Sequence, residues 1–404
     1  MPFTDVQLSR AARGATIDAA AVSETDRSDA VQGVCGLVLA GSYHWGDTTF
    51  ERVFRGPLLP VAQVPIICYP LGWLRNGGVI DARVCANSAT VAVRDFLGAG
   101  ESLGLKLGYY EDHTPRGPAG CARDAALTSD SHTFVVVEGS LIPTLDLADL
   151  LEAHRSSNAA ATVVVETDRR QREVEGSEMR LPGGIYVLSR RVLESVGPTG
   201  FQDIKEGLLE RLYKSGEIVK TYELAGVSAR VLDYSTYTSA NRWLTARAVE
   251  HQTYLRNYRR VGDALVHPTS LVHPNARMVG PVIVGPGVVV SDHALIVGPT
   301  TIGMGSTVGA GALVSRSVVW SNCSIGANAV VDCTLLADNC SVEPNQQLFG
   351  AVHIAPAERP APKVRAAQPE TPNIPIPETV WSRPAVASRD VMGSPVFGHQ
   401  RSPI

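Results

Sequence analysis

From Val266 onward an aliphatic residue returns every six positions, through Val272, Met278, Val284, Val290, Ile296, Ile302, Val308 and Val314. After one slip the pattern resumes at Val319, Ile325 and Val331, and it fades around Val342. Gly, Pro, Ala, Ser and Thr dominate the positions between. An α-helix repeats near 3.6 residues and a flat strand at 2, so neither produces this spacing. A six-residue period carried by aliphatic residues marks a parallel β-helix: each hexad forms one short face and its aliphatic side chain points into the prism. Residues 258–350 are therefore expected to form a left-handed β-helix of hexapeptide repeats.

A different pattern precedes it. VCGLVLAG, VIDARVCAN, LKLGYYED, TFVVVEG and ATVVVET read as strands. PIICYPLGWL, SATVAVRDFLG, AGCARDAAL and LADLLEAHRSS read as the helices between them. Short apolar strands separated by helices predict a mostly parallel sheet covered on both faces. The fold class expected over residues 33–257 is thus α/β, with a Rossmann-like sheet whose ligand site lies beyond the carboxyl ends of its strands. That places a site at the ends of VCGLVLAG and TFVVVEG. A helix from about Thr238 to Asn257 is expected to join the two domains.

The 404-residue chain has room for both domains and for polar ends. Residues 1–32 are rich in Ala, Ser and Asp without sustained periodicity, and read as a flexible lead. Residues 351–404 are dense in Pro and read as a disordered tail. A net charge of -4 gives no long-range attraction to nucleic acid or to an anionic membrane. No apolar stretch is long enough to cross a bilayer, and the first twenty residues hold no secretion-type apolar core. The seven cysteines form no CxxC pair and sit mostly in apolar or small-residue runs, as packing thiols do. A cytoplasmic protein is expected.

Several segments carry a resemblance. PLLPVAQVPIICYPLGWLRNGGV is similar to the stretch after the signature loop of NDP-sugar pyrophosphorylases, and TPRGPAGCARDA to their nucleotide-contacting PLGTAGAL turn. FVVVEGSLIPTLDLADLLEAHRSSNAAATVVV resembles their strand, metal site and helix, and LPGGIYVLSRRVLE the strand that contacts the sugar. The hexapeptide region resembles the C-terminal extension of the mannose-1-phosphate guanylyltransferase group. The family joins a nucleoside triphosphate to a sugar 1-phosphate and releases pyrophosphate. The resemblance implies nucleotide contacts at Leu39, Ala40, Gly41, Gly117 and Ala119, and a sugar contact at Gly184.

The catalytic motifs depart from the family pattern. The family's first strand ends in a loop of the form GGxGTRLxPLT; here it continues Ser42-Tyr43-His44-Trp45-Gly46-Asp47, with no Arg before Arg52. The family's phosphate-contacting Lys is replaced by Gly56, and no lysine precedes Lys106. Arg55, one residue away, is the candidate catalytic substitute, although a planar guanidinium is a poor copy of an ammonium point charge. Magnesium prefers charged oxygen ligands, but the family's metal-binding Asp is Ser140 here. Glu138 and Asp233 are the remaining candidate metal ligands, Asp233 having a turn-capping role as its bland alternative. An EKP element that the family uses on the sugar phosphate is missing between VVVET and LPGGIYV.

Nucleotidyl transfer depends on neutralising phosphate charge, and losing one such donor typically costs on the order of 10²–10³ in rate. The resemblance therefore implies a nucleotide- or NDP-sugar-binding protein with impaired catalysis, acting as a regulatory or scaffold subunit, with Mg²⁺ doubtful. The alternatives are an active pyrophosphorylase with substituted residues, or an acyltransferase in the β-helix using His267, His273 or His293. Expected partners are a nucleotide or NDP-sugar and either a second copy or a catalytic homologue, in a pathway supplying surface polysaccharide.

Overall fold

The computed structural model describes residues 31–41, 50, 56–87, 90–111, 116–168, 179–224, 228–251, 255 and 257–354. All but the last two residues of the expected lead, all but four residues of the Pro-rich tail, and Arg55 lie outside the described residues.

Seven strands make the α/β sheet: β1 (Val34–Leu39), β2 (Asp81–Ala86), β3 (Lys106–Glu111), β4 (Thr133–Glu138), β5 (Ala161–Asp168), β6 (Met179–Ser189) and β7 (Val219–Glu223). Their order is β7-β5-β6-β4-β1-β2-β3. All neighbours are parallel except β6, which runs antiparallel to both β4 and β5. The chain builds outward from β1 through β2 and β3, then returns to place β4 on the other side of β1. The carboxyl ends of β1 and β4 thus flank the topological switch point, where ligands of such sheets bind.

Alternation along β1 sorts the cores. Cys35, Leu37 and Leu39 join one buried cluster, with Ala119, Ala122 and Ala125 of helix α3 (Gly117–Ala126). Val34 and Val38 join the other, beneath α1 (Cys68–Asn76), α2 (Thr90–Leu97) and α4 (Leu147–Ser156). Both faces are covered, as the continuous apolar runs require. Helix α1 starts at Cys68 rather than at Pro65, so Pro70 falls in its first turn, where no intrahelical N–H is lost. The cysteines are free thiols; burial pushes Cys35 and Cys68 up to about 12.

Helix α5 (Tyr234–His251) starts four residues earlier than expected. The Thr236 N–H donates to Asp233 Oδ1 at 2.7 Å, and the Asp233 N–H donates to Thr236 Oγ1 at 2.9 Å. This reciprocal capping box fixes the start at Tyr234.

The β-helix has three sheets, of seven, five and five strands, stacked coil on coil in parallel register except for the entry strand Arg259–Val261, which runs antiparallel to Ala264–Val266. Early coils pair residues eighteen apart, as Val266 with Val284 and Val284 with Ile302. From Ile302 the partners are seventeen apart: Val319, Leu336 and His353 follow in turn. The apparent fading of the hexads is therefore a repeated slip, with one corner of each later coil shortened. Arg316, Cys333 and Gly350 turn that corner with φ of 48°, 50° and 60°. Neighbouring corners use Asn322, Asn328, Asn339 and Asn345, the non-glycine type most at ease in the left-handed region.

Helix α5 lies between the domains. Trp320 Nε1 donates to the Tyr237 hydroxyl at 2.7 Å, which donates to the Pro60 carbonyl at 2.8 Å. One apolar core runs from Val38 and Trp73 through Tyr237 and Leu244 to Val284 and Trp320.

Candidate functional site

At the switch point the two central strands touch. Leu39 is in register with Glu138, and the Gly139 N–H donates to the Leu39 carbonyl at 2.8 Å. A Cβ on Gly139 would stand 3.1 Å from the Ala40 Cα, so a larger residue would press on the neighbouring backbone. The Ala40 N–H donates to the Cys85 carbonyl at 2.7 Å. Of the three expected contacts here, Leu39 and Ala40 are buried, while Gly41 is exposed with open space where a Cβ would sit. The loop that follows, residues 42–49, lies outside the described residues.

Gly117 and Ala119 open α3. Gly117 has φ +73°, and a Cβ there would meet the Gln202 carbonyl at 2.5 Å. That carbonyl accepts the Ala119 N–H at 3.0 Å, while Gln202 N–H donates to the Arg116 carbonyl at 2.7 Å. Gln202 is held there because the next residue, Asp203, caps the turn Ile204–Leu209 through the Lys205 and Glu206 N–H groups. Arg116 is anchored by Asp124 at 2.8 Å and by the Gly197 carbonyl at 2.7 Å. The Ala119 N–H at this helix N-terminus is therefore engaged by the chain's own backbone.

The third expected locus gathers charge. β5 and β6 pair with an irregularity between Val163 and Val165, opposite Gly183 and Gly184. Glycines at such a bulge let other groups approach the backbone closely. A Cβ on Gly184, which has φ +79°, would lie 2.6 Å from an Arg230 terminal nitrogen and 2.8 Å from the Glu138 carboxyl carbon. A Cβ on Gly183 would lie 3.1 Å from Glu166 Oε1. Arg230 Nε is 3.3 Å from Glu138 Oε2, and the Ser228 N–H donates to Glu166 Oε1 at 3.1 Å. Burial pushes the Glu166 carboxyl above the usual carboxylate range, and the Ser228 N–H and the Arg230 guanidinium draw it part of the way back.

Glu166 and Arg230 were not among the residues singled out from sequence. Glu166 was legible as the first charge after the buried run ATVVV, at a strand's carboxyl end. Nothing in ARVLDYSTY marks Arg230, because its partner Glu138 is 92 positions away in the sequence.

These residues do not make a ready magnesium site. The Asp233 carboxylate caps α5, Glu138 is paired with Arg230, and position 140 offers a neutral hydroxyl. The Ser140 Oγ is buried with no hydrogen-bond partner among the described residues. Among those residues no three His, Cys, Asp or Glu side chains converge as a metal centre. Two carboxylates around one guanidinium suit the hydroxyl groups of a sugar better than the charge of a triphosphate.

On the β-helix, His267 Nδ1 lies 2.8 Å from Thr269 Oγ1. His273 and His293 share Asp292 at 3.1 and 2.6 Å. All three are within hydrogen-bond reach of neighbours in their own or the adjacent coil. No helix among the described residues is long and apolar enough to cross a membrane.

Comparison with known proteins agrees with this architecture. Residues 51–174 match the family described as Nucleotidyl transferase, and residues 260–358 match the GMPPB C-terminal domain. A mannose-1-phosphate guanylyltransferase of Mycobacterium tuberculosis is 25% identical over 241 residues, 54% of this chain and 66% of that protein. Mannose-1-phosphate guanylyltransferase 1 of Arabidopsis thaliana is 25% identical over 184 residues, 40% of this chain and 51% of that one. A mannose-1-phosphate guanyltransferase of Candida albicans is 25% identical over 270 residues, 59% and 73% of the two chains. The match thus spans from about half to about three quarters of these relatives' lengths. With its switch-point sheet, its hexapeptide β-helix and both domain matches, the chain carries a nucleotidyl-transferase-type domain followed by a GMPPB C-terminal-type domain and is similar to sugar-1-phosphate nucleotidyltransferases of the mannose-1-phosphate guanylyltransferase kind.

Proposed function

We propose that this protein binds an NDP-sugar or nucleotide without needing Mg²⁺, turns over the family reaction weakly or not at all, and serves as a regulatory or scaffold subunit. One observation carries the reading: the carboxyl edge of the sheet presents Glu138, Arg230 and Glu166 around Gly183 and Gly184, with Asp233 engaged as a helix cap. The sugar hydroxyls would donate to the two carboxylates, and Arg230 would hold both acids in place. The Ser140 hydroxyl supplies a further hydrogen-bonding group. The names of the relatives point to a guanosine nucleotide of mannose as the first ligand to try. Gly41 would contact the phosphates through its exposed backbone, and the β-helix would present a surface to a second copy or to a catalytic homologue.

Those same names favour a second reading, an active enzyme that joins a nucleoside triphosphate to a sugar 1-phosphate, with Arg55 on the phosphates. A thermal-shift screen with NDP-sugars and triphosphates, each with and without Mg²⁺, separates the two. Stabilisation by an NDP-sugar without the metal supports the regulatory reading. Stabilisation by a triphosphate only with Mg²⁺, together with pyrophosphate release, supports the enzyme.

A further inference from the structure

A cavity of about 170 Å³ opens where α5 lies across the β-helix, away from the switch point. Tyr234, Thr238 and Arg242 line it from the helix; Thr301, Arg316 and Cys333 line it from the coils. Thr301 is the odd member of its row. Across the covered sheet the register runs Leu265, Ile283, Thr301, Val318, Leu335 and Val352, so five aliphatic residues flank one threonine. Thr301 is only 2% exposed, and its Oγ1 has no hydrogen-bond partner among the described residues. A valine would fill the same space without stranding a hydroxyl, and a stranded polar group carries a desolvation cost.

The charges around the cavity do not cancel. The Arg316 guanidinium is held by both Asp332 oxygens, at 3.1 and 2.6 Å. Arg242 has no carboxylate partner among the described residues. One uncompensated guanidinium therefore faces a cavity with an unpaired hydroxyl and the Tyr234 phenol on its walls. A guanidinium fork matches a tetrahedral oxyanion, and hydroxyl groups complete its coordination. The volume corresponds to roughly five or six waters, room for a phosphate or a small phosphate monoester but not for a whole nucleotide sugar.

We infer that this cavity is a second binding site, for inorganic phosphate or a sugar phosphate, with Arg242 supplying the charge and Thr301 a buried hydrogen bond. It is independent of the NDP-sugar reading, because it shares no side chain with the switch-point cluster. Its wall is nevertheless the helix capped by Asp233, so an occupant would brace the helix that follows that cluster.

Full-length protein is titrated by calorimetry with inorganic phosphate and, separately, with mannose 1-phosphate, with chloride at matched ionic strength as control. Arg242→Gln and Thr301→Val are titrated in parallel. Arg242 is exposed and Thr301→Val keeps the shape, so both variants are expected to unfold at or above the wild-type temperature without ligand. Saturable binding that weakens about tenfold or more in each variant supports the site, and the tighter of the two ligands identifies its source as free phosphate or a monoester. Absence of saturable binding, or binding unchanged in both variants, overturns it. Loss of phosphate binding on Glu166→Gln with no effect of Arg242→Gln would also overturn it, by placing the anion at the switch-point cluster.

Discussion

At the switch-point cluster a half-buried carboxyl, Glu166, is set between an N–H donor, a guanidinium and a second acid. Because burial raises its folded pKa, the sign of its pH dependence follows directly. Its contribution is fully present below the unfolded value and is lost as pH rises through the folded one. Glu166→Gln removes that titration while keeping an oxygen for the Ser228 N–H. The stability difference, variant minus wild type, is expected to be larger at pH 7 than at pH 4.5, as read by urea denaturation at both pH values. A difference that stays flat would mean that Glu166 is solvated like an ordinary surface acid. The same substitution should weaken NDP-sugar binding, since it removes one sugar-facing carboxylate. Little of this was legible in the sequence at this scale. Glu138 and Gly184 stood out through the resemblance, but their convergence on Arg230 depends on a bulge and on a contact between β4 and the segment before α5.

Among the elements, α5 shows how a single residue type carries two readings. Asp233 is a candidate metal ligand by resemblance and the N-cap of α5 by geometry. These separate on mutation. Asp233→Ala removes the cap and is expected to cost about 0.5–2 kcal/mol, whereas Asp233→Asn keeps the acceptor and should retain most of that stability. If Asp233→Asn also leaves NDP-sugar affinity unchanged, the cap accounts for the residue; a selective loss of Mg²⁺-dependent binding would restore the metal reading. The β-helix was the most legible element, because its core positions recur along the sequence itself. Only its later coils were obscured, since a repeat of seventeen rather than eighteen shifts each successive hexad. The start of α5 was misplaced because a Thr-containing capping box lacks the Glu or Gln that usually signals one.

Across the whole molecule, the two domains share one apolar core through α5 rather than meeting at a polar seam. Tyr237 sits at the crossing, donating to Pro60 while accepting from Trp320. Tyr237→Phe strands the Trp320 N–H and the Pro60 carbonyl, with an expected cost of about 1–3 kcal/mol. Because the core is continuous, the loss should lower one shared unfolding transition, with tryptophan fluorescence and far-ultraviolet circular dichroism still coinciding. Two separated transitions would mean that the domains fold independently. The α/β and β-helix classes followed from periodicity alone, but their joint core did not, because Tyr237 and Trp320 are 83 residues apart and neither occupies one of the recurring aliphatic positions.

Recognition of a nucleotide sugar without a metal is what sets this protein apart from a metal-dependent transferase under the proposed reading. The most direct test is the shift in unfolding temperature on adding GDP-mannose, in the presence of EDTA and then of Mg²⁺. At 100 times its Kd a ligand stabilises the folded state by about 2.7 kcal/mol. This stabilisation is expected to appear in EDTA, to be unchanged by Mg²⁺ and to be lost on Glu166→Gln. Stabilisation that requires Mg²⁺, accompanied by pyrophosphate release from GTP and mannose 1-phosphate, would contradict the proposed reading.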